Sequence, residues 1–314
     1  MEVRFWGARG SHPRPMTPDE LRSKISTVVH RIQSSDVEDA QSRERFLLGL
    51  PDWLFRPAGG NTPCVELRLS DTECIVFDAG TGIIQLAEDW ARRGYSEDCI
   101  NLFFTHFHYD HVQGLPFFGP AYNPSSRIRF FSPVETFEKN LRSHMQHPFF
   151  PVTMEGKMTE RMEFHVLREK ELLVSGARVR YRLMNHPGGA YAYRVDYQGR
   201  SFVYASDAEL QNEDFERSPA NRDFFEGVDV LILDTQYTLG EAIEKYNWGH
   251  SAFSLAVDFA LTWKVKRLFM FHHEPRYSDK RLVKNLESAR AYAIKSSSHE
   301  LHIELSREGS RITV

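Results

Sequence analysis

One short stretch constrains this 314-residue chain more than any other. The apolar run Cys99-Ile100-Asn101-Leu102-Phe103-Phe104 leads directly into Thr105-His106-Phe107-His108-Tyr109-Asp110-His111. The first part reads as a buried strand. The second puts three histidines and an aspartate within six positions at the strand's end. Histidine is a rare residue, so that density argues against a solvated polar loop. Imidazole nitrogens and carboxylate oxygens suit zinc, iron or manganese. The pattern H-x-H-x-D-H offers two ligand sets. His106 and His108 alternate onto one side of an extended backbone, whereas Asp110 and His111 follow a turn and can face a second ion.

Three later segments repeat the arrangement of an apolar run ending on a ligand-type side chain. They are residues 179–186, ending on His186; residues 201–207, ending on Asp207; and residues 266–273, ending on His272-His273. Loops at strand ends are where α/β proteins gather their chemistry. Between these segments the chain alternates strand-like and helix-like patterns. Strands are expected at 65–69, 74–77, 127–131, in succession over 163–202, at 228–233 and at 267–271. Helices are expected at 83–93, from 133 to about 144, at 251–263 and at 279–296. Periodicity alone gives α/β or α+β.

The order H-x-H-x-D-H, His, Asp, His, preceded by Phe77-Asp78-Ala79-Gly80-Thr81-Gly82, resembles the metallo-β-lactamase superfamily over nearly the whole chain. That resemblance implies an αββα four-layer sandwich, with residues 1–314 forming one domain of that kind. It implies His106, His108 and His186 on one metal ion. It places Asp110, His111 and His272 on a second, with Asp207 shared by both. Residues 274–277 favour His272 over His273 as the ligand. Two divalent ions follow, zinc first, with manganese or iron as alternatives.

The segments 2–11, 59–64 and Trp248-Gly249-His250-Ser251 are similar to the ribonuclease Z-like branch, which includes small cyclic-phosphodiester hydrolases. His250, and Asp234 at the end of Leu231-Ile232-Leu233-Asp234, match that branch's extra histidine and aspartate. Phosphorus chemistry is therefore expected over carbonyl chemistry. Paired metal ions would clamp the phosphate and acidify a water. Asp110 would orient that water or accept its proton, and His250 would face the leaving oxygen as general acid. Asp234 would hold an imidazole in its tautomer, and Asp78 would bond backbone amides of the ligand loop.

The expected substrate is a small or cyclic phosphodiester, such as a cyclic nucleotide. A ribonuclease Z-like endonuclease acting on tRNA precursors ranks second, and a metal-loaded sensing or scaffold domain third. RNA ranks lower because the net charge is −4, and tight backbone binding relies on a basic surface. A glycine- and proline-rich arm of the kind that ribonuclease Z uses to hold tRNA is also missing. Three scattered cysteines do not make a disulfide framework. No apolar run reaches membrane-span length. Arg4 and Arg9 interrupt any leader pattern. A cytoplasmic enzyme without membrane contact is the expectation, with a homodimer open.

Two segments stand outside the resemblance. Residues 13–58 form an insertion, with Leu21, Ile25, Val28, Val29 and Ile32 at helical spacing. A helical hairpin packed on the sandwich is the first reading; a lid or dimer contact is the second. Pro148-Phe149-Phe150-Pro151 is an apolar, aromatic connection that would serve as a pocket wall or a loop anchor.

Overall fold

The computed structural model describes residues 1–94, 99–155, 158, 160–297 and 299–314. Two seven-stranded sheets dominate it. The first contains β1 (Glu2–Gly7), β2 (Cys64–Arg68), β3 (Cys74–Phe77), β4 (Cys99–Phe103), β5 (Arg127–Ser132), β6 (Met162–Val166) and, far along the chain, β14 (Arg311–Thr313). Its order is β14-β1-β2-β3-β4-β5-β6. The second contains β7 (Glu171–Val174), β8 (Ala177–Met184), β9 (Ala190–Tyr197), β10 (Arg200–Ala205), β11 (Val230–Asp234), β12 (Arg267–Phe271) and β13 (His302–Leu305). It runs β13-β12-β11-β10-β9-β8-β7.

Side-chain alternation explains the layers. In β11, Val230 and Ile232 join the core between the sheets, and Leu231 and Leu233 join the core beneath the outer helices. In β3, Ile75 and Phe77 point inward between the sheets, and Cys74 and Val76 point outward. Both faces are buried, so these strands read as continuous apolar runs. Helices Phe253–Thr262 and Asp279–Ser296 cover the second sheet; helices Gly82–Arg93 and Phe137–His144 cover the first. Helix 82–93 buries Ile83, Leu86 and Trp90 on one stripe and stops at Gly94, whose φ of 63° is left-handed. The result is the αββα sandwich that the sequence implied. Among the described residues, no helix is long and apolar enough to cross a membrane.

Within each sheet the pairing changes from antiparallel to parallel. Strands β3 to β6 are parallel in the first sheet. Strands β10 to β13 are parallel in the second. Asp78, the 106–111 loop, Asp207, Asp234 and His272 all follow or end parallel strands at their C-terminal ends, and His186 lies in the β8–β9 hairpin turn. The sandwich therefore collects them along one edge.

Several boundaries differ from the pattern-based expectation. The helix expected from 133 begins at Phe137, because the Ser132 hydroxyl first takes the Val134 N–H into a turn. The helix expected from 251 begins at Phe253; the Ser251 hydroxyl is committed instead to Ala208 O and Leu210 N. Strands β13 and β14 were not foreseen. β14 pairs antiparallel with β1, Glu2 opposite Thr313, and closes the first sheet with the C-terminus.

The insertion folds as a helix over Pro18–Arg31, a short turn of 3₁₀ helix, and helices Ala40–Leu48 and Asp52–Phe55. Thr17 and Glu20 form a reciprocal N-terminal cap. The apolar stripe exists, yet no residue of helix 18–31 is buried. Leu21, Ile25 and Val29 are 51%, 55% and 60% exposed. A cavity of about 290 Å3 separates Leu21, Ile25 and Val28 from Leu54 and Pro57. Helix 18–31 is tied to the sandwich through Lys24, which pairs with Asp279 at the start of helix 279–296, whereas helix 52–55 buries Leu54.

Candidate metal centre

Five imidazoles, four of them buried and the fifth, His108, exposed, meet two buried carboxylates at the edge of the sandwich. His106 Nε2 and His186 Nε2 lie 3.0 and 3.1 Å from His108 Nδ1. Across from them, His272 Nε2 is 3.1 Å from Asp110 Oδ2, and His111 Nε2 is 3.5 Å from the same oxygen. Asp207 stands between the two groups. Its Oδ2 is 3.7 Å from both His106 and His186 and 3.4 Å from His272, and its Oδ1 is 3.1 Å from His111. All seven side chains named from the sequence thus converge, in overlapping groups that include His106, His108 and His186; Asp110, His111 and His272; and also His106, His111 and Asp207.

The outer atoms explain which ring nitrogens face inward. His106 Nδ1 lies 3.0 Å from the Thr105 hydroxyl, and His111 Nδ1 lies 2.8 Å from Asp78 Oδ2. His186 Nδ1 meets Gly249 O at 2.9 Å, and His272 Nδ1 meets Gln236 Oε1 at 3.0 Å. An N–H given to these acceptors leaves the Nε2 lone pair pointing into the cluster. Ser11 N–H donates to Asp110 Oδ2 at 2.7 Å, which fixes that carboxylate.

The backbone is bent to achieve this. Asp78 and His272 have φ of 58° and 56°, a left-handed conformation that non-glycine residues seldom adopt. Asp78 is fully buried and accepts from Thr105 N–H, the Thr105 hydroxyl and the Tyr204 hydroxyl as well as facing His111. Gly249 has φ of 89°, and a Cβ there would lie 2.2 Å from His186 Nδ1. Glu209 accepts the N–H groups of Asn247 and Gly249 and so holds that loop in place.

The electrostatics suit cations. Burial, followed by the neighbouring imidazoles, keeps His106 well below its ordinary value; burial also lowers His108 and His186. These three rings stay neutral, as ligands must. Burial opposes charge on His111 too, but Asp207, Asp110 and Asp78 outweigh it and raise that ring well above its ordinary value. The three carboxylates thus favour positive charge where, among the described residues, no lysine or arginine lines the site to supply it. His111 Nε2 and Asp207 Oδ1 are buried without a hydrogen-bond partner. Unsatisfied buried atoms facing one another beside convergent lone pairs are what divalent ions would satisfy. The donor set fits two ions.

His250 Nδ1 sits 2.6 Å from Asp234 Oδ2, and its ring stacks on His272 at 4.8 Å. Burial lowers its pKa, but Asp234, Asp207 and Asp110 push it up to about 9. The ring lines a cavity of about 390 Å3 over the cluster, together with Ser11, His108 and Tyr109. It does not cap helix 253–262, which has no side-chain cap. Asp234 also accepts the N–H of Gln236, so it closes its strand as well.

Other residues singled out from the sequence fall elsewhere. His273 is buried against Ser306 O and is lowered to about 3 mainly by burial. Arg276 is exposed and bonds Glu274. Asn61 Nδ2 donates to Glu308 and Thr62 N–H to the Thr81 hydroxyl, tying their segment to distant parts of the chain. Sequence reasoning missed Gln236, Thr105, Ser11, Gly249 and Glu209. Each acts through hydrogen bonds of its side chain or backbone, and no spacing pattern assigns it that role.

Comparison with known proteins agrees with this geometry. The family described as the beta-lactamase superfamily domain matches residues 73–273. A ribonuclease Z from Picrophilus torridus is 26% identical over 275 residues, covering 72% of this chain and 84% of that protein. The fold resembles human tRNase Z, short form, with TM-score 0.60 and 18% identity, covering 100% of this chain and 99% of the other. It also resembles a diphosphatase from the PhnP family, with TM-score 0.61 and 16% identity over 100% and 97% of the two chains. The protein belongs to the beta-lactamase superfamily, as a hydrolase that depends on divalent metal ions.

Proposed function

We propose that the protein is a phosphodiesterase that cleaves a small or cyclic phosphodiester at a two-ion centre, with zinc as the preferred metal. His106, His108 and His186 would hold one ion and Asp110, His111 and His272 the other, with Asp207 shared. Two divalent ions bound there would supply charge neutralisation for the phosphoryl oxygens and the acidity needed to activate a water.

The observation that carries the reading is the His250–Asp234 pair beside the ligand cluster. A phosphodiester has a poor leaving group that needs a proton. His250, with Nδ1 committed to Asp234, presents its other nitrogen toward the cavity as that donor. Asp234 keeps the ring charged and oriented. Asp110, fixed by Ser11 N–H, accepts or directs the proton of the attacking water. Among the described residues, the site's own lining includes no lysine or arginine. A substrate's charge therefore has to be met by the ions and His250, which suits one phosphodiester group better than a long polyanion. The free cysteines support a reading as a cytoplasmic enzyme.

The second reading is an endonuclease acting on tRNA precursors, favoured by the likeness to proteins named ribonuclease Z. Side-by-side cleavage of a 2′,3′-cyclic nucleotide and a tRNA precursor by the metal-loaded protein separates the two. Turnover of the cyclic ester with an intact precursor is expected. Efficient cleavage of the precursor alone would replace the first reading with the second.

A further inference from the structure

The aromatic connection around Phe149 is not used by the chemistry above. In the structure it walls a second cavity of about 370 Å3, together with Tyr109, Asn140, Ser143 and His144. Phe107 and Tyr109 line both this cavity and the one over the metal cluster. The two spaces therefore adjoin across a shared aromatic rim. Tyr109 lies between His108 and Asp110 in sequence, which places its backbone beside the candidate metal centre.

The character of this second cavity is specific. Tyr109 and Phe149 are 69% and 72% exposed, although both are large apolar or aromatic surfaces. Tyr109 packs against His144 with ring centroids 5.9 Å apart and leaves its remaining surface free. His144 Nε2 is buried without a hydrogen-bond partner, and burial lowers its pKa, so the wall is uncharged near neutrality. Among the described residues, no lysine, arginine, aspartate or glutamate lines this space. Asn140 and Ser143 supply polar groups at its margin. Among these lining residues a phosphate or a charged peptide finds no side chain of opposite charge. A flat, uncharged ring with hydrogen-bonding edges finds aromatic faces and two polar side chains.

Resting on the phosphodiesterase reading, we infer that this cavity is a ring subsite: it holds the nucleobase carried by one ester arm of the substrate, stacked against Tyr109 and Phe149. The substrate class narrows to nucleoside phosphodiesters.

The test uses the full-length protein and two esters with the same leaving group, thymidine 5′-(p-nitrophenyl phosphate) and ethyl p-nitrophenyl phosphate. The expected result is a kcat/KM ratio favouring the nucleoside ester, carried by KM. Phe149→Ala lowers that ratio about tenfold, and Phe149→Tyr restores it, as loss and recovery of one stacking contact require. A ratio unmoved by Phe149→Ala would overturn the subsite. Titration of adenosine 5′-monophosphate into the same proteins gives a readout free of turnover. Affinity about tenfold weaker in Phe149→Ala supports the subsite, and unchanged affinity contradicts it. If neither ester is hydrolysed by the parent protein, the phosphodiesterase reading fails, while the nucleotide titration still decides the subsite.

Discussion

His250 and Asp234 stand 2.6 Å apart, Nδ1 to Oδ2, with the carboxylate fully buried and the imidazole stacked on His272. The contact gives His250 one orientation and one role. Substituting Asp234→Asn keeps the shape but removes the charge that favours the protonated ring. A fall in kcat of about 10- to 100-fold is expected, with KM nearly constant and metal content unchanged. His250→Ala should cost more, on the order of 100-fold or greater, with metal again retained. Steady-state kinetics alongside metal analysis checks both. Loss of metal in either variant would show the pair to be structural.

Gly249 offers a test of how His186 is held. A methyl group there meets the His186 ring, and the backbone conformation disfavours any side chain. Gly249→Ala should weaken metal affinity roughly 10- to 100-fold by turning that ring. Chelator competition measures it. Affinity equal to the parent's would mean that the 2.9 Å contact between Gly249 O and His186 contributes nothing to the site.

Asp78 ties two sheets and the ligand loop together through Thr105, His111 and Tyr204. Asp78→Ala strands those buried donors. A loss of about 3 kcal/mol or more is expected, visible as a lower thermal midpoint even without metal. A midpoint within 1–2 °C of the parent, where ~1 kcal/mol shifts a chain of this size by roughly 2–4 °C, would contradict that account.

The exposed stripe on helix 18–31 predicts tolerance. Combining Leu21→Ser, Ile25→Ser and Val29→Ser should change stability by no more than about 1 kcal/mol, because none of the three is buried. A thermal melt decides it. A large drop would show that the stripe is covered in solution.

The start of that helix should respond to acid. Its Arg14 hydrogen bond, chiefly, lowers Glu20 to about 2 from 4.5. The folded carboxyl is more acidic than the unfolded one, so its contribution is full above pH 4.5 and declines as pH falls toward 2. Amide exchange over residues 18–22 should accelerate in that window. Arg14→Ala should bring the change to higher pH. Identical profiles for the two proteins would argue against the pairing.

Much of the fold was legible because strand ends carry the chemistry. The His106–His111 loop, His186, Asp207 and His272 each follow an apolar run, and the structure brings them together at one edge of the sandwich. The supporting groups were not legible. Gln236 and Thr105 contribute side-chain hydrogen bonds, Ser11 and Gly249 contribute backbone atoms, and such roles leave no periodic signal. β13 and β14 are short and partly polar, and only their pairing with β12 and β1 defines them. The insertion shows the opposite case. Its helical period was plain, but period alone does not say whether an apolar stripe finds a surface to cover.

The most direct test of the central claim is hydrolysis of bis(p-nitrophenyl) phosphate after loading with zinc or manganese, with bound metal counted and His108→Ala run alongside. The account predicts two ions per chain and metal-dependent turnover that collapses in His108→Ala. Two bound ions with no turnover, or turnover equal in the variant, would contradict it.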